Sequence, residues 1–379
     1  MTHSDTFKPA LIALSITAAL HSGAVSAQET SEDAEVEVIQ VSGIRGSLMR
    51  AQAVKMDNDS IVEAISAEDI GKLPDSSIAE SLARLPGLSG ERVGGRTSGI
   101  SVRGFKEDFT GTSLNGRELI GIGDNRGVEY DLYPAEIMTG ATIYKTSDAS
   151  LIVQGIGGTV DLQTVRPLAA QETLTVTGVY ELGGNDSDNP EFDNSGNRFA
   201  LSFVEKFADD TVGLALAIAS TESPRNERKY GVWGYGENDD GQILPFGLDT
   251  QAISRVLERD TISAILQWRP TDRLDIVFDA LDIDYSDSGV IRGFIDPFAA
   301  ANVSGSGVNS TGTQINANPV LRTDPAQKDG ELQTFGLNIR YDVNDDWSVS
   351  LDVADSESSK RDLRGESYAG LARSGALTN

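Results

Sequence analysis

The sequence predicts a mixed α+β domain leading into an antiparallel transmembrane β-barrel. From Gln171 onward, apolar residues recur at every second position in segments of about ten residues, the period of a strand with one apolar face. The connections between those segments alternate strictly between long and short. Barrel strands show this pattern when tight turns lie on one side of a membrane and long loops on the other. Residues 43–167 show neither feature; short helical and strand signals mix there, and glycines cluster.

The N-terminus reads as an address. Ala10–Leu20 (ALIALSITAAL) is uncharged, follows Lys8, and has the length of a signal-peptide core. It is too short for a spanning helix, which needs about 20 apolar residues. Val25-Ser26-Ala27 places small residues where a signal peptidase reads, so residues 1–27 are expected to be removed. The alternative, a buried core helix, is opposed by the acidic run QETSEDAEVE directly behind it. Residues 28–42 are read as a disordered tether. At its end stands the β-prone segment Glu37, Val38, Ile39, Gln40, Val41, Ser42. Behind a disordered leader it could add to an exposed sheet edge of another protein through main-chain hydrogen bonds, or serve as the first strand of the next domain.

Within residues 43–167, Ser77-Ile78-Ala79-Glu80 forms a capping box ahead of Leu82 and Leu85, and Pro86-Gly87 is expected to stop that helix. Ser66-Ala67-Glu68-Asp69 suggests another short start. A strand is expected at Ile100–Arg103, followed by Gly104-Phe105. Leu114-Asn115-Gly116-Arg117 carries the Asn-Gly signal of a tight hairpin. A helix is expected after Tyr133-Pro134, and strands at Ala141–Lys145 and along Gly155–Leu162, which includes Gly157 and Gly158. Gly121-Ile122-Gly123 and Gly155-Ile156-Gly157 begin like dinucleotide-binding loops. Arg126 and Val160 stand where the third glycine belongs, so both are read as turns.

Seven strands are expected after Pro167. Their apolar faces are marked by Leu174, Val176, Tyr180 and Leu182; Phe199, Leu201, Phe203 and Phe207; Val212, Leu214, Leu216 and Ile218; Ile262, Ala264, Leu266 and Trp268; Leu274, Ile276 and Phe278; Phe335, Leu337, Ile339, Tyr341 and Val343; and Trp347, Val349, Leu351 and Val353. Tight turns fall at Ala208–Asp210, Pro270–Asp272 and Asn344–Asp346. Long loops are expected at Gly183–Asn197, Thr221–Arg259 and Ser286–Gly330. Phe207, Trp268, Tyr341 and Trp347 near the tight turns suit an interfacial girdle. The opposite face carries Asp275, Asp279, Arg340 and Asp342 and is expected to face solvent. A soluble β-sandwich would also alternate, but has no reason to sort its loops by length. Asp282 and Asp284 fall on the formerly apolar face after Ala280, which reads as a bulge or as exit from the membrane. With Ser286 they hint at a calcium loop, but lack the glycine and glutamate that such a loop needs. No metal site is predicted.

Charge and composition narrow the function. Lys plus Arg number 31 and Asp plus Glu 58, a net charge of −27, so charge-driven nucleic-acid binding is not expected. There is no Cys, and the only histidines, His3 and His21, lie in the segment expected to be removed. This leaves no Cys or His nucleophile, no His base and no ordinary zinc site. No catalytic residue or cofactor is assigned, and the chain is read as not an enzyme.

The export signal, the β-prone box, the glycine-rich domain and the membrane strands together resemble a TonB-dependent outer-membrane receptor. Glu37–Ser42 resembles the TonB box. Ser101-Val102-Arg103-Gly104-Phe105, Leu114-Asn115-Gly116-Arg117, Tyr133-Pro134-Ala135-Glu136-Ile137 and Gly155–Thr164 (GIGGTVDLQT) resemble motifs of the plug domain. The stretch Ile65–Asp75, with Ile143-Tyr144-Lys145, resembles a proteobacterial subgroup often linked to carbohydrate uptake. Where many plugs carry an Arg-containing stretch, Thr139–Ile143 reads TGATI, so the ion pairs of other members have no matching residue there.

The resemblance implies a mixed α+β plug domain (43–167) followed by an incomplete antiparallel transmembrane β-barrel (168–379). Enclosing a plug takes about 22 strands, so with seven here the chain is expected to be the N-terminal part of a longer receptor, ending in or near an outer loop at Leu363–Asn379. The implied partners are TonB, outer-membrane lipid and a small nutrient, an oligosaccharide before an iron–siderophore. The loop aromatics Tyr230, Trp233, Tyr235 and Phe246 are candidate ligand contacts, with local packing as the alternative. A surface sugar-binding β protein, an adhesin or phage receptor, and a carboxylate hydrolase are the other classes.

Overall fold

A computed structural model describes residues 44–66, 78–93, 96–133, 137–315 and 319–370. The signal-like segment, the tether and Glu37–Ser42 lie outside the described residues. The first element is α1 (Ile44–Asp57), which no sequence signal announced because it carries no apolar stripe. Lys55 in its last turn pairs with Glu63 at 2.8 Å. Then follow β1 (Val62–Ser66), α2 (Ile78–Leu82), β2 (Leu88–Val93), β3 (Arg96–Val102), β4 (Thr110–Leu114), β5 (Arg117–Glu118), β6 (Met138–Tyr144) and β7 (Gly158–Thr164).

Five of these strands form a sheet in the order β1-β6-β7-β4-β5, with β4 and β7 parallel; β2 and β3 make a separate hairpin. Ile78, Leu82, Ile100, Leu132, Ile143 and Leu162 are fully buried between them, with Tyr130 and Tyr133. Both buried hydroxyls are satisfied. Tyr130 shares a hydrogen bond with Thr112 at 2.8 Å, and Tyr133 donates to the Ile120 carbonyl at 2.7 Å.

Two local expectations change. The helix at Ile78 stops at Leu82, before Pro86, as the chain turns toward Gly87 in the left-handed region (φ 81°). The strand expected to include Arg103 ends at Val102, because Arg103 and Gly104 form a turn with φ of 56° and 80°. The helix expected after Tyr133-Pro134 falls on residues 134–136, which lie outside the described residues; β6 begins at Met138 and pairs with both β1 and β7. Asn115-Gly116 forms the expected hairpin turn, with φ of 54° and 83°.

The remainder comprises β8 (Thr173–Leu182), β9 (Ser195–Phe207), β10 (Val212–Glu237), β11 (Ile243–Thr271), β12 (Leu274–Pro297), β13 (Ala299–Ser304), β14 (Thr311–Ile315), β15 (Val320–Asp342), β16 (Ser348–Arg364) and β17 (Tyr368–Gly370). Strands β8 to β12, β15 and β16 form one antiparallel meander, an open wall of barrel type. The pair β13–β14 stands apart, and β17 pairs back onto β15. Two of the expected long loops are strand instead. Beyond Ser220 the β10–β11 ladder continues to a turn at residues 238–242, and β12 pairs with β15 out to Ile295. Backbone hydrogen bonds extend a hairpin past the point where apolar alternation stops, so the pattern marked only the part with an apolar face. Leu363, expected in a loop, is still within β16. The expected bulge after Ala280 is absent: Ala280 and Asp282 keep unbroken register with both neighbours. The other reading, exit from the membrane, fits the continuous pairing.

The apolar run of the outward face ends in the same way on six of the seven strands. Moving away from the tight turns, the last apolar residues are Phe199, Ile218, Ile262, Ala280, Phe335 and Val353. They are followed on the same face by Asn197, Ser220, Asp260, Asp282, Gln333 and Asp355. The boundary is oblique. Through the register Phe199 leads to Ser220, Asp260, Asp284, Glu331 and finally Ser359, which lies six residues beyond Val353. Six residues of about 3.3 Å, against five strand spacings of about 4.8 Å, correspond to a strand tilt of about 40°. Membrane barrels tilt by about 35–45°. Phe207, Trp268, Tyr341 and Trp347 are all exposed at the tight-turn end, where a girdle belongs. No helix among the described residues is long and apolar enough to cross a membrane, which leaves crossing by strands untouched.

Candidate functional site: the seat of the N-terminal domain on the inner wall

The opposite face of the wall is built for an occupant. Its side chains at mid-height are small: Ala200, Ala215, Ala217, Ala219, Ser263, Thr261 and Thr334, all buried. The N-terminal domain packs there, and its hydrophobic core continues into Ala217, Leu281, Ile283 and Leu332 of the wall. Gly330 and Gly336 mark the closest approach. A Cβ on Gly330 would come within 2.7 Å of Ile122, and one on Gly336 would overlap the Arg117 guanidinium.

Arg117 is the ionic hinge of this seat. It follows the Asn115-Gly116 turn, whose geometry is fixed from β7: Asp161 accepts from Gly116 N at 2.8 Å and from Ser113 at 2.6 Å. Asn115 exchanges hydrogen bonds with Thr164. So aimed, Arg117 lies over Gly336, with Nη1 2.7 Å from Asp279 on β12 and Nε 2.5 Å from Asp352 on β16. Asn338 also donates to Asp352 at 2.7 Å. Asp279, expected to face solvent, is therefore buried against the N-terminal domain. Two carboxylates share one guanidinium in a partly desolvated place, where such pairs are strongest and most costly to break.

The other predicted residues divide clearly. Arg103, Gly104 and Phe105 form an exposed turn, with the Phe105 ring 6.1 Å from Phe109 in an edge arrangement. Gly157 and Gly158 pass beneath it. A Cβ on Gly157 would lie 2.9 Å from that of Phe105, and one on Gly158 2.8 Å from the Tyr144 carbonyl. These motif residues shape the domain; Arg117 alone among them reaches the wall. The loop aromatics are not gathered into one platform. Phe246 covers Gly234 and Gly236 on the facing strand, and Trp233 covers Gly247. Strand alternation sets Tyr230 and Tyr235 on opposite faces.

Above the seat lies a cavity of about 490 Å³ between the domain's apex and the wall. Its floor is the loop 121–131. There Glu129 accepts from Ile122 N at 3.1 Å, and burial lifts its carboxyl above the usual glutamate range, only partly opposed by backbone donors and Lys328. Lys360 pairs with Asp124, Ser358 donates to the Gly121 carbonyl, and Arg259 and Arg96 donate to the carbonyls of Asp131 and Ser223. The cavity walls carry Arg225 and Arg255. Sequence reading missed Asp352 and these arginines, because only the register shows that they share the inward face.

Residues 54–159 match the family described as TonB-dependent Receptor Plug Domain, which places a plug domain in the region just described. No curated protein matches the chain. Among solved structures, the chain is similar to the ferric citrate transporter FecA in its unliganded form (12% identity, TM-score 0.39, covering 84% of this chain and 60% of that one). It is also similar to the siderophore receptor PirA from Acinetobacter baumannii (13%, 0.34, 84% and 59%) and to the alcaligin receptor FauA from Bordetella pertussis (14%, 0.35, 83% and 58%). The chain thus spans about three fifths of the length of these structures.

Proposed function

We propose that this chain is the N-terminal part of a TonB-dependent outer-membrane receptor. In this reading residues 1–27 are an export signal, 28–42 a tether with its box, 43–167 the plug, and 168–379 the first seven barrel strands. The complete protein takes up a small nutrient, for which an oligosaccharide is our reading, and performs no covalent chemistry. The observation that carries it is the pairing of a plug-family domain with one face of a wall whose other face bears an oblique apolar band.

The geometry suggests how such a receptor works. The nutrient enters the cavity from the side of the extended hairpins and contacts the plug apex. The outward band contacts lipid. TonB adds a strand to Glu37–Ser42, and several parallel hydrogen bonds transmit its pull. The pull has to overcome the Arg117 pairs and the packing of the plug against the wall's inner face.

The test replaces Ile39 by proline in the complete receptor, removing a main-chain donor from the box. Uptake of labelled oligosaccharide is expected to fall to background while the amount of receptor in outer-membrane fractions stays constant. Unchanged uptake would sink the proposal.

A further inference from the structure

The inward face above the plug apex sets two arginines side by side, and a third from the plug lines the same cavity. Arg225 and Arg255 are direct cross-strand partners on β10 and β11. Like charges so placed repel and destabilise a sheet. Beyond Arg255 the same inward row continues through Gly289, over which the Arg255 side chain lies, and Ala326, which lines the cavity. Arg96, from the plug strand β3, lines the same cavity. Asp287 is the one carboxylate in hydrogen-bond contact with this trio among the described residues, and it is taken by Arg255 at 2.9 Å. Arg96 donates to the backbone at Ser223. Arg225 has no hydrogen-bond or ion-pair partner among the described residues, and its Nε is buried. Burial, with Arg255 and Arg96 adding to it against Asp287 and Glu227, holds its pKa below the usual arginine value. The cavity's other carboxylates, Glu107, Asp124, Glu129, Asp131 and Asp362, make no hydrogen bond to the trio.

We infer that Arg96, Arg225 and Arg255 receive a carboxylate group of the transported nutrient, which makes the cargo an acidic saccharide. The inference rests on the uptake reading above and adds the charge of its substrate. Guanidinium forks bind carboxylates bidentately and keep their charge when desolvated. A cavity of about 490 Å³ is within the range of about 300–1,000 Å³ usual for small-molecule sites. One of the three groups belongs to the plug and two to the wall, so a bound carboxylate touches both bodies.

The complete receptor, purified in detergent, is titrated with oligogalacturonate, with its fully methyl-esterified counterpart, and with ferric citrate. Wild type is expected to prefer oligogalacturonate to the ester. Arg225→Gln is expected to weaken acid binding by about 10- to 100-fold while leaving ester binding unchanged; Arg225→Lys should retain part of it. The ligand-free Arg225→Gln receptor should melt no lower than wild type, since the substitution relieves repulsion; a merely structural arginine would lower the melting temperature. Ferric citrate binding that is lost in the same variant, without oligogalacturonate binding, keeps the carboxylate site and overturns the saccharide. Equal binding of acid and ester, or binding of none of the three probes, overturns the inference. The uptake reading is judged separately by the Ile39→Pro receptor.

Discussion

The plug's interior and its seat on the wall are built on different principles. Inside the plug, Ile100, Ile143, Leu162, Tyr130 and Tyr133 are buried completely, and large side chains interlock. Against the wall the contact mixes alanine, serine, threonine and glycine with larger buried side chains, Leu257, Ile265, Val277, Leu281, Ile283 and Leu332 among them. Its strongest polar hold is gathered at Arg117. A body that is cohesive within and seated through a mixed contact can move as a unit. The contrast separates two kinds of stability that one melting curve would merge.

Removing the polar hold is the sharpest way to test the contrast. Arg117→Met leaves Asp279 buried without its cation, an effect of about 3–5 kcal/mol on docking. Hydrogen exchange is expected to rise at the plug–wall contacts while β6 and β7 stay protected. If the plug sheet exchanges as well, seat and interior are one cooperative unit and the contrast fails.

Ile143→Ala attacks the other side of the comparison. Cavity formation at a fully buried isoleucine costs about 2–5 kcal/mol, and the expected sign is loss of protection throughout the plug sheet with the barrel strands unaffected.

The smallest effect is a dependence on pH. Glu129 has its folded-state pKa raised above the ordinary 4.5 by burial. Its contribution is therefore fully present below the unfolded value and is lost as pH rises through the folded one. Glu129→Gln is expected to flatten the stability profile in that window, read as plug unfolding against pH. An unchanged slope would assign the dependence to other groups.

Legibility in the sequence followed the solvent on each face. The outward rows could be read from Leu174 to Val353 because every second residue there is apolar, and Asn115-Gly116 because its turn demands positive φ. The extensions beyond Ile218 and Ile262 were read as loops, since strand pairing in water leaves no apolar period. The candidate site was less legible. Arg117 stood out in a motif, yet Asp279 was read only as a polar residue, and its role comes from docking between segments more than 160 residues apart. Arg225 and Arg255 become a pair only once the turn at 238–242 fixes the register.

The oblique edge of the apolar band has a geometric consequence. Each strand steps along its neighbour by about 1.2 residues, so the wall is a staircase, and a closed ring built at that pitch is a screw. The free edge of β8 therefore cannot be met by a strand lying level with it. Its partner must arrive displaced along the axis by the accumulated steps of all the strands between, about 26 residues for a ring of 22. The seven strands present thus set the pitch that any closing strand has to match.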